Sequence, residues 1–287
     1  MSEHIIRAID REPLTGRVAD TLQPVVRKTL QSLGRQSKDA LHGKWLGHPL
    51  HAALVALPIG AWTLAFLYDV AEIVRGKRSG PAEMAISVGL AGAVASVITG
   101  LADWSEIDGR AKKIGLVHGT MNLVATALYL SSLATRRRSR STGMAMSMVA
   151  FGVANAAAYL GGYLVFGERI GVKHTGAPTE DQPESFVAVL DEGALGENQL
   201  VRATAGEVPI LLVHTSGRIF ALGEICTHLG GPLAEGALEG MSVRCPWHGS
   251  RFCLENGSVL ESPATFSERV FDVRMQGGKI EVRASGT

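Results

Sequence analysis

Four stretches of this 287-residue chain contain no Asp, Glu, Lys or Arg: residues 50–68, 84–102, 114–135 and 141–167. Each runs for about 19 residues or more, and at ~1.5 Å rise per residue a helix of that length spans a bilayer core of ~30 Å. Buried helices of soluble proteins are usually shorter and keep a polar face. The pattern predicts a transmembrane domain of four helices over residues 48–167. Small residues recur in it, as at Gly89, Gly92 and Ala156, and would let helix backbones approach closely. Pro58 removes a backbone donor and is expected to kink the first span.

The hydrophobic share of 46% is concentrated in this region. Residues 1–47 form a polar tail without the apolar core of a signal peptide. Within it, residues 23–33 read as an amphipathic helix with Pro24 in its first turn, lying on the membrane surface or packed on its neighbours. A net charge of +1 is no polyelectrolyte signature, so nucleic acid is not an expected partner. Three cysteines are too few for a disulfide framework.

After a Gly-, Pro- and Thr-rich linker over 168–184 the texture changes. Short apolar runs at 186–190, 208–213, 219–222, 241–244, 270–274 and 279–282 are separated by turn signals such as Ser216-Gly217, Asn256-Gly257 and Gly277-Gly278. This spacing predicts a small antiparallel all-β domain over 185–287.

Inside that domain stands Cys226-Thr-His228-Leu-Gly-Gly231, and after sixteen intervening residues comes Cys245-Pro-Trp-His248-Gly-Ser250. Two Cys-plus-His pairs on two loops can hold tetrahedral zinc. They can equally hold a [2Fe–2S] cluster, with both thiolates on one iron and both imidazoles on the other. The flanking residues favour iron. With Gly230-Gly231-Pro232-Leu233, Gly249-Ser250-Arg251-Phe252, Asn256-Gly257 and Ser262-Pro263-Ala264, residues 185–284 closely resemble the Rieske family. The resemblance implies one [2Fe–2S] cluster per chain, held by Cys226, His228, Cys245 and His248, and a role in one-electron transfer.

Two departures place the domain within that family. Rieske proteins of cytochrome bc complexes carry a disulfide between the two loops; the matching positions here are Gly231 and Trp247. They also use a Ser and a Tyr as donors to the cluster sulfurs, where this chain has Ser250 but Phe252. The domain therefore resembles Rieske ferredoxins and oxygenase Rieske domains, with a potential expected in the lower half of the ~−150 to +300 mV range. Cys253 reads as a small buried apolar group. No catalytic iron site of the oxygenase kind is expected after the Rieske fold, so the chain reads as an electron carrier rather than a hydroxylase.

The membrane part opens with Trp45-Leu-Gly-His48-Pro-Leu-His51, and His118 and Asn122 stand near the start of the third span. On these residues and on 54–60 it resembles an uncharacterised family of bacterial four-helix membrane proteins. Antiparallel spans put His48, His51, Asp103, Glu106, Asp108 and His118 on one membrane face, the face from which the Rieske domain would hang. His48 and His51 are expected on one side of one helix. These histidines cap helices, or hold a haem, a metal or a quinone. Asp69, at the far end of the first span, either marks function or reaches water. Seven basic residues near one face against eight near the other leave orientation undecided.

The function expected is a membrane-anchored electron carrier between a reductase and a partner oxidoreductase such as an oxygenase. The setting is a bacterial inner membrane, with the Rieske domain on the cytoplasmic side, where clusters are assembled. A redox sensor and a two-centre carrier are the alternatives.

Overall fold

The computed structural model describes residues 2–78, 80–175 and 182–285. The middle of the expected linker, residues 176–181, lies outside the described residues. The chain divides into two compact units. The first combines Met1–Gly34 with Pro49–Ile170, and the second combines Arg35–His48 with Gly171–Thr287.

The first unit is helical: α1 (Ser2–Arg11), α2 (Pro13–Ser32), α4 (Leu50–Leu54), α5 (Ala56–Arg75), α6 (Ala82–Trp104), α7 (Gly109–Arg136) and α8 (Arg140–Phe166). Four helices, Leu50–Arg75 counted as one, are long and apolar enough to cross a membrane. The first is interrupted at Val55, between α4 and α5. Pro58 accounts for the break, because it has no N–H to offer the Leu54 carbonyl one turn back. Helix α5 packs on α6 and α8, and α7 packs on the same two, so α5 and α7 stand across the bundle from one another.

Close helix approach depends on missing side chains. A Cβ on Gly89 would lie 2.2 Å from Nε1 of Trp62. Trp62 in turn stacks on the fully buried Tyr129, with ring centroids 4.4 Å apart.

The polar tail expected over 1–47 is not a single element. Helix α2 begins at Pro13 rather than near Gln23, with the Glu12 side chain accepting from the Leu14 N–H at 3.2 Å. Pro24 therefore sits inside the helix and not in its first turn. The helix rests on the α6–α7 turn. Gln23 donates to the carbonyls of Trp104 and Ile107 at 2.9 and 2.6 Å, and Arg27 donates to that of Ser105. Carbonyls left over at the end of α6 are thereby satisfied. The remainder of the tail, α3 (Arg35–His42), belongs to the second unit.

Asp69 does not reach water. It is fully buried, and Arg136 at the last position of α7 grips it with both terminal nitrogens, one of them at 2.8 Å. Arg136 also donates to Ser132, whose hydroxyl donates to the Gly143 carbonyl at 2.6 Å. In sequence Arg136 stands in a run of arginines between two apolar stretches; in the fold its guanidinium is held by Asp69.

In the second unit, strands β1 (Val187–Asp191), β2 (Gln199–Ala205), β3 (Val208–Thr215), β4 (Arg218–Gly223), β9 (Val270–Gln276) and β10 (Lys279–Ala284) form one antiparallel sheet, in the order β1-β10-β9-β4-β3-β2. Strands β5 (Ala237–Leu238), β6 (Ser242–Arg244), β7 (Arg251–Cys253) and β8 (Val259–Glu261) form a second. Strand β3 is buried on both faces. Leu211 and Val213 pack with Phe220, Leu233, Val243 and Phe252, towards the small sheet, while Ile210 and Leu212 pack with Phe271, Ile280 and Val282.

Asp69→Ala leaves a buried guanidinium without its partner, and loss of one member of a buried ion pair costs about 3–5 kcal/mol. The double change Asp69→Ala with Arg136→Met removes both charges and is expected to recover most of that loss. Thermal unfolding of the detergent-solubilised protein measures the difference.

Candidate functional site

Strand β4 runs out into the loop carrying Cys226 and His228, and the β6–β7 hairpin carries Cys245 and His248. The two loops are closed in the same way. In the first, the Cys226 N–H donates to the Gly231 carbonyl at 2.8 Å and the Gly230 N–H returns to the Cys226 carbonyl at 2.9 Å. In the second, the Cys245 N–H donates to the Ser250 carbonyl at 2.8 Å and the Gly249 N–H returns to the Cys245 carbonyl at 3.2 Å. Both returns need a left-handed backbone, which Gly230 and Gly249 supply at φ +80° and +75°.

The closed loops bring the expected quartet together. Cys226 and Cys245 are both buried, and each thiol acts on the titration of the other. The His228 N–H is directed at the Cys226 sulfur, and the Trp247 and His248 N–H groups at that of Cys245. The Cys245 thiol is pushed down to about 7, by the Cys226 thiol first and then by these N–H groups against the effect of burial. Such a cradle suits thiolate sulfur.

The His228 and His248 rings meet edge to face, 5.1 Å apart. Burial first, and then His248, His42, His174 and Lys38, hold His228 well below its ordinary value, so its imidazole is neutral, as a metal ligand must be. Its Nδ1 is buried with no hydrogen-bond partner, an orphan atom that a metal would satisfy. Among the described residues no three His, Cys, Asp or Glu side chains gather as donors to a single ion. The donors here fall instead into a sulfur pair and an imidazole pair.

The neighbouring residues agree with the sequence in part. A Cβ on Gly231 would lie 2.8 Å from the Cys245 sulfur and 3.1 Å from the Trp247 ring, so no bridging side chain fits there. Ser250 is fully buried, and its hydroxyl accepts from the Ala264 N–H at 2.9 Å, leaving the hydroxyl proton to donate elsewhere. Phe252 is a core residue packed with both cysteines. Cys253 lies on β7 only half-buried, more open than the sequence suggested. Trp247 is 56% exposed beside His248.

The membrane histidines divide. His48 precedes the first helix, which starts after Pro49, and it falls in the other unit, so it does not share a helix side with His51. His51 and His118 remain in the bundle, their Nδ1 atoms 2.9 and 2.8 Å from the carbonyls of Ser96 and Ala157.

Two residues that sequence reasoning passed over shape the first loop. Thr227 donates through its hydroxyl to the Phe266 carbonyl at 2.7 Å, and its N–H donates to the Glu268 carboxylate at 2.7 Å. Glu268 is 4% exposed. Its only sequence signal is a carboxylate just ahead of an apolar strand.

Residues 185–272 match the Rieske [2Fe-2S] domain family, and residues 47–174 match a predicted membrane protein family (DUF2231). The ferredoxin component of biphenyl 2,3-dioxygenase from Rhodococcus jostii is 32% identical over 102 residues, which are 36% of this chain and 95% of the ferredoxin. The chain belongs to the Rieske [2Fe–2S] family. Human apoptosis-inducing factor 3 is 35% identical over 118 residues, 41% of this chain, and the chain spans only 19% of that protein's length. A solved complex of reduced oxygenase and oxidized ferredoxin in carbazole 1,9a-dioxygenase aligns at 26% identity and a TM-score of 0.34, over 36% of this chain and 97% of the matched one. Rieske domain and membrane-family domain are thus fused in one chain, and the Rieske part is an electron-transfer module homologous to dioxygenase ferredoxin components.

Within this Rieske domain Glu268 titrates unusually. Burial pushes its carboxyl up to about 8, against the Thr227 N–H that favours the charged form. The folded domain thus keeps a proton that the unfolded chain releases near 4.5. Stability is greatest below that value and is lost as pH rises from it through about 8. Glu268→Gln keeps an acceptor for Thr227 but has no proton to lose. Unfolding midpoints measured across this pH window should fall more steeply for the natural protein than for the variant.

Proposed function

We propose that the chain is a membrane-anchored one-electron carrier whose [2Fe–2S] cluster is held by Cys226, His228, Cys245 and His248. The observation that carries this reading is the sorting of four donors into a buried sulfur pair and an edge-to-face imidazole pair on two identically closed loops. Thiolates on one iron and neutral imidazoles on the other are the Rieske ligation. A zinc ion would need all four around one centre. When bound, the cluster supplies a site that takes up and releases a single electron.

The chain's own residues do the rest. The N–H groups of His228, Trp247 and His248 stabilise anionic sulfur, and the apolar packing of Leu233, Phe252 and Leu254 keeps water from that side. The half-buried His228 and His248 and the exposed Trp247 offer the edge through which an electron enters from a reductase and leaves to an acceptor. A terminal oxygenase is the acceptor class that the ferredoxin relatives suggest. We assign the anchor to residues 48–167 and the electron-carrying domain to 185–287. The membrane is read as a bacterial inner membrane, with the Rieske domain on the cytoplasmic side, where clusters are assembled.

The test is single-turnover electron transfer. The dithionite-reduced, detergent-solubilised chain is mixed with an oxidised Rieske-dependent oxygenase, and loss of the reduced-cluster EPR signal is followed. Transfer of one electron per chain is expected. His228→Ala and Cys245→Ser should abolish the visible absorption and the EPR signal while the four apolar helices still enter the membrane, because they satisfy their own backbone hydrogen bonds. A colourless natural protein loaded with zinc would overturn the reading.

The potential follows from Phe252. With no phenolic donor at this position the added electron is less stabilised, so the midpoint should fall in the lower half of ~−150 to +300 mV. Phe252→Tyr should raise it, as a redox titration of the two proteins would show.

A further inference from the structure

The bundle repeats one construction in its two helical hairpins. In the first, the Nδ1 atom of His51 lies 2.9 Å from the Ser96 carbonyl, and a Cβ on Gly100 would stand 2.9 Å from Cε1 of the ring. In the second, the Nδ1 atom of His118 lies 2.8 Å from the Ala157 carbonyl, and a Cβ on Gly161 would stand 3.0 Å from Cε1. In each hairpin, then, an imidazole on the leading helix seats itself on the returning helix, over a carbonyl at position i and a glycine at i+4. A Cβ at Gly100 would push the ring off its seat, and one at Gly161 would press directly on it.

This seating fixes the tautomer. A carbonyl can only accept, so Nδ1 carries the proton in both rings and Nε2 is left with its lone pair. The Asn122 amide donates to the His118 carbonyl at 3.0 Å and leaves the tautomer to the Nδ1 bond. Hydrogen bonding of Nδ1 to a backbone carbonyl is how proteins orient an imidazole that ligates metal through Nε2.

The two rings also stand at similar depth. His51 sits beside the stretch of α6 lying four to eight residues before Trp104, and His118 beside the stretch of α8 lying five to nine residues before Phe166. At ~1.5 Å per residue both are on the order of 10 Å in from the same end of the bundle. The leading helices stand across the bundle from one another, so the two imidazoles enter the same level of the bundle from opposite hairpins.

We propose that His51 and His118 are the axial ligands of a haem held in the membrane bundle. Two imidazoles alone cannot complete a protein zinc or copper site, which takes three or four protein donors, and among the described residues no third His, Cys, Asp or Glu joins them. A haem iron brings four equatorial nitrogens of its own and asks the protein only for axial ligands. The apolar helices around the pair suit a porphyrin face. Iron at Nε2 would leave both Nδ1 bonds intact. This site is independent of the Rieske ligands.

The test uses the full chain, expressed with a haem precursor and purified in detergent. A Soret band, a low-spin ferric EPR signal and one haem per chain by the pyridine haemochrome assay are expected. His51→Ala and His118→Ala should each lose the low-spin signal, while the reduced-cluster EPR signal persists as the sign that the chain is folded. Protein purified without haem is titrated with haemin, and the natural chain should saturate at one equivalent with a low-spin spectrum. If neither preparation shows low-spin haem, or if the alanine variants bind haemin as the natural chain does, the proposal fails. A chain that copurifies with quinone and gives no Soret band on haemin titration also overturns it.

Discussion

Everything at the Rieske site depends on holding two sulfurs against each other within a protein interior. Thiolate charge is costly to bury, and the fold meets that cost with backbone rather than with cations. The N–H groups of His228, Trp247 and His248 converge on the sulfurs. They can do so because each loop is closed on itself by a reciprocal pair of hydrogen bonds across its cysteine. Glycine at 230 and at 249 makes the return, and glycine at 231 leaves room for the opposing sulfur. Side-chain chemistry and backbone conformation are here one constraint, which is why the two Cys-and-His loops carry glycines beside those residues.

The helical unit solves a related problem without sulfur. Its interior holds polar groups, and several are matched across helices: Asp69 with Arg136, Ser132 with the Gly143 carbonyl, His51 with Ser96 and His118 with Ala157. Buried polar groups of this kind contribute little net stability when paired, and they penalise every other helix register heavily.

Local pattern and long-range pairing were unequally legible in the sequence. The four apolar helices were, because a run without charge is a local property, and so were the Cys and His pairs, because their spacing is that of two short loops. The break at Val55 was readable from Pro58. Strands β5, β7 and β8 were not, since two or three residues are too few for an alternating pattern. Strand β2 hid because Arg202 and Thr204 interrupt a run of small residues. The burial of Asp69 was invisible for a different reason. Its partner is Arg136, 67 residues later, and in sequence Arg136 belongs to a cluster of arginines that looks like a solvated loop. Glu268 escaped likewise, as its partner Thr227 lies 41 residues away.

The N-terminal segment shows how such distant pairs reach the site. Asp39 on α3 accepts from the Ser262 N–H at 2.9 Å, and Lys44 donates to the Leu260 carbonyl at 2.7 Å. Partial burial works against the Asp39 charge, but the Ser262 N–H and Lys44 outweigh it and hold the carboxyl below its ordinary value. Two residues beyond Ser262, the Ala264 N–H donates to the Ser250 hydroxyl, and the Ser250 carbonyl accepts from Cys245. A continuous path of backbone and hydrogen bonds therefore runs from a helix near the start of the chain to a candidate ligand near its end. Residues that read as a featureless polar tail thus support the loop on which the sulfur sits. A ferredoxin domain lacking this segment would have to hold residues 260–264 by its own sheet alone.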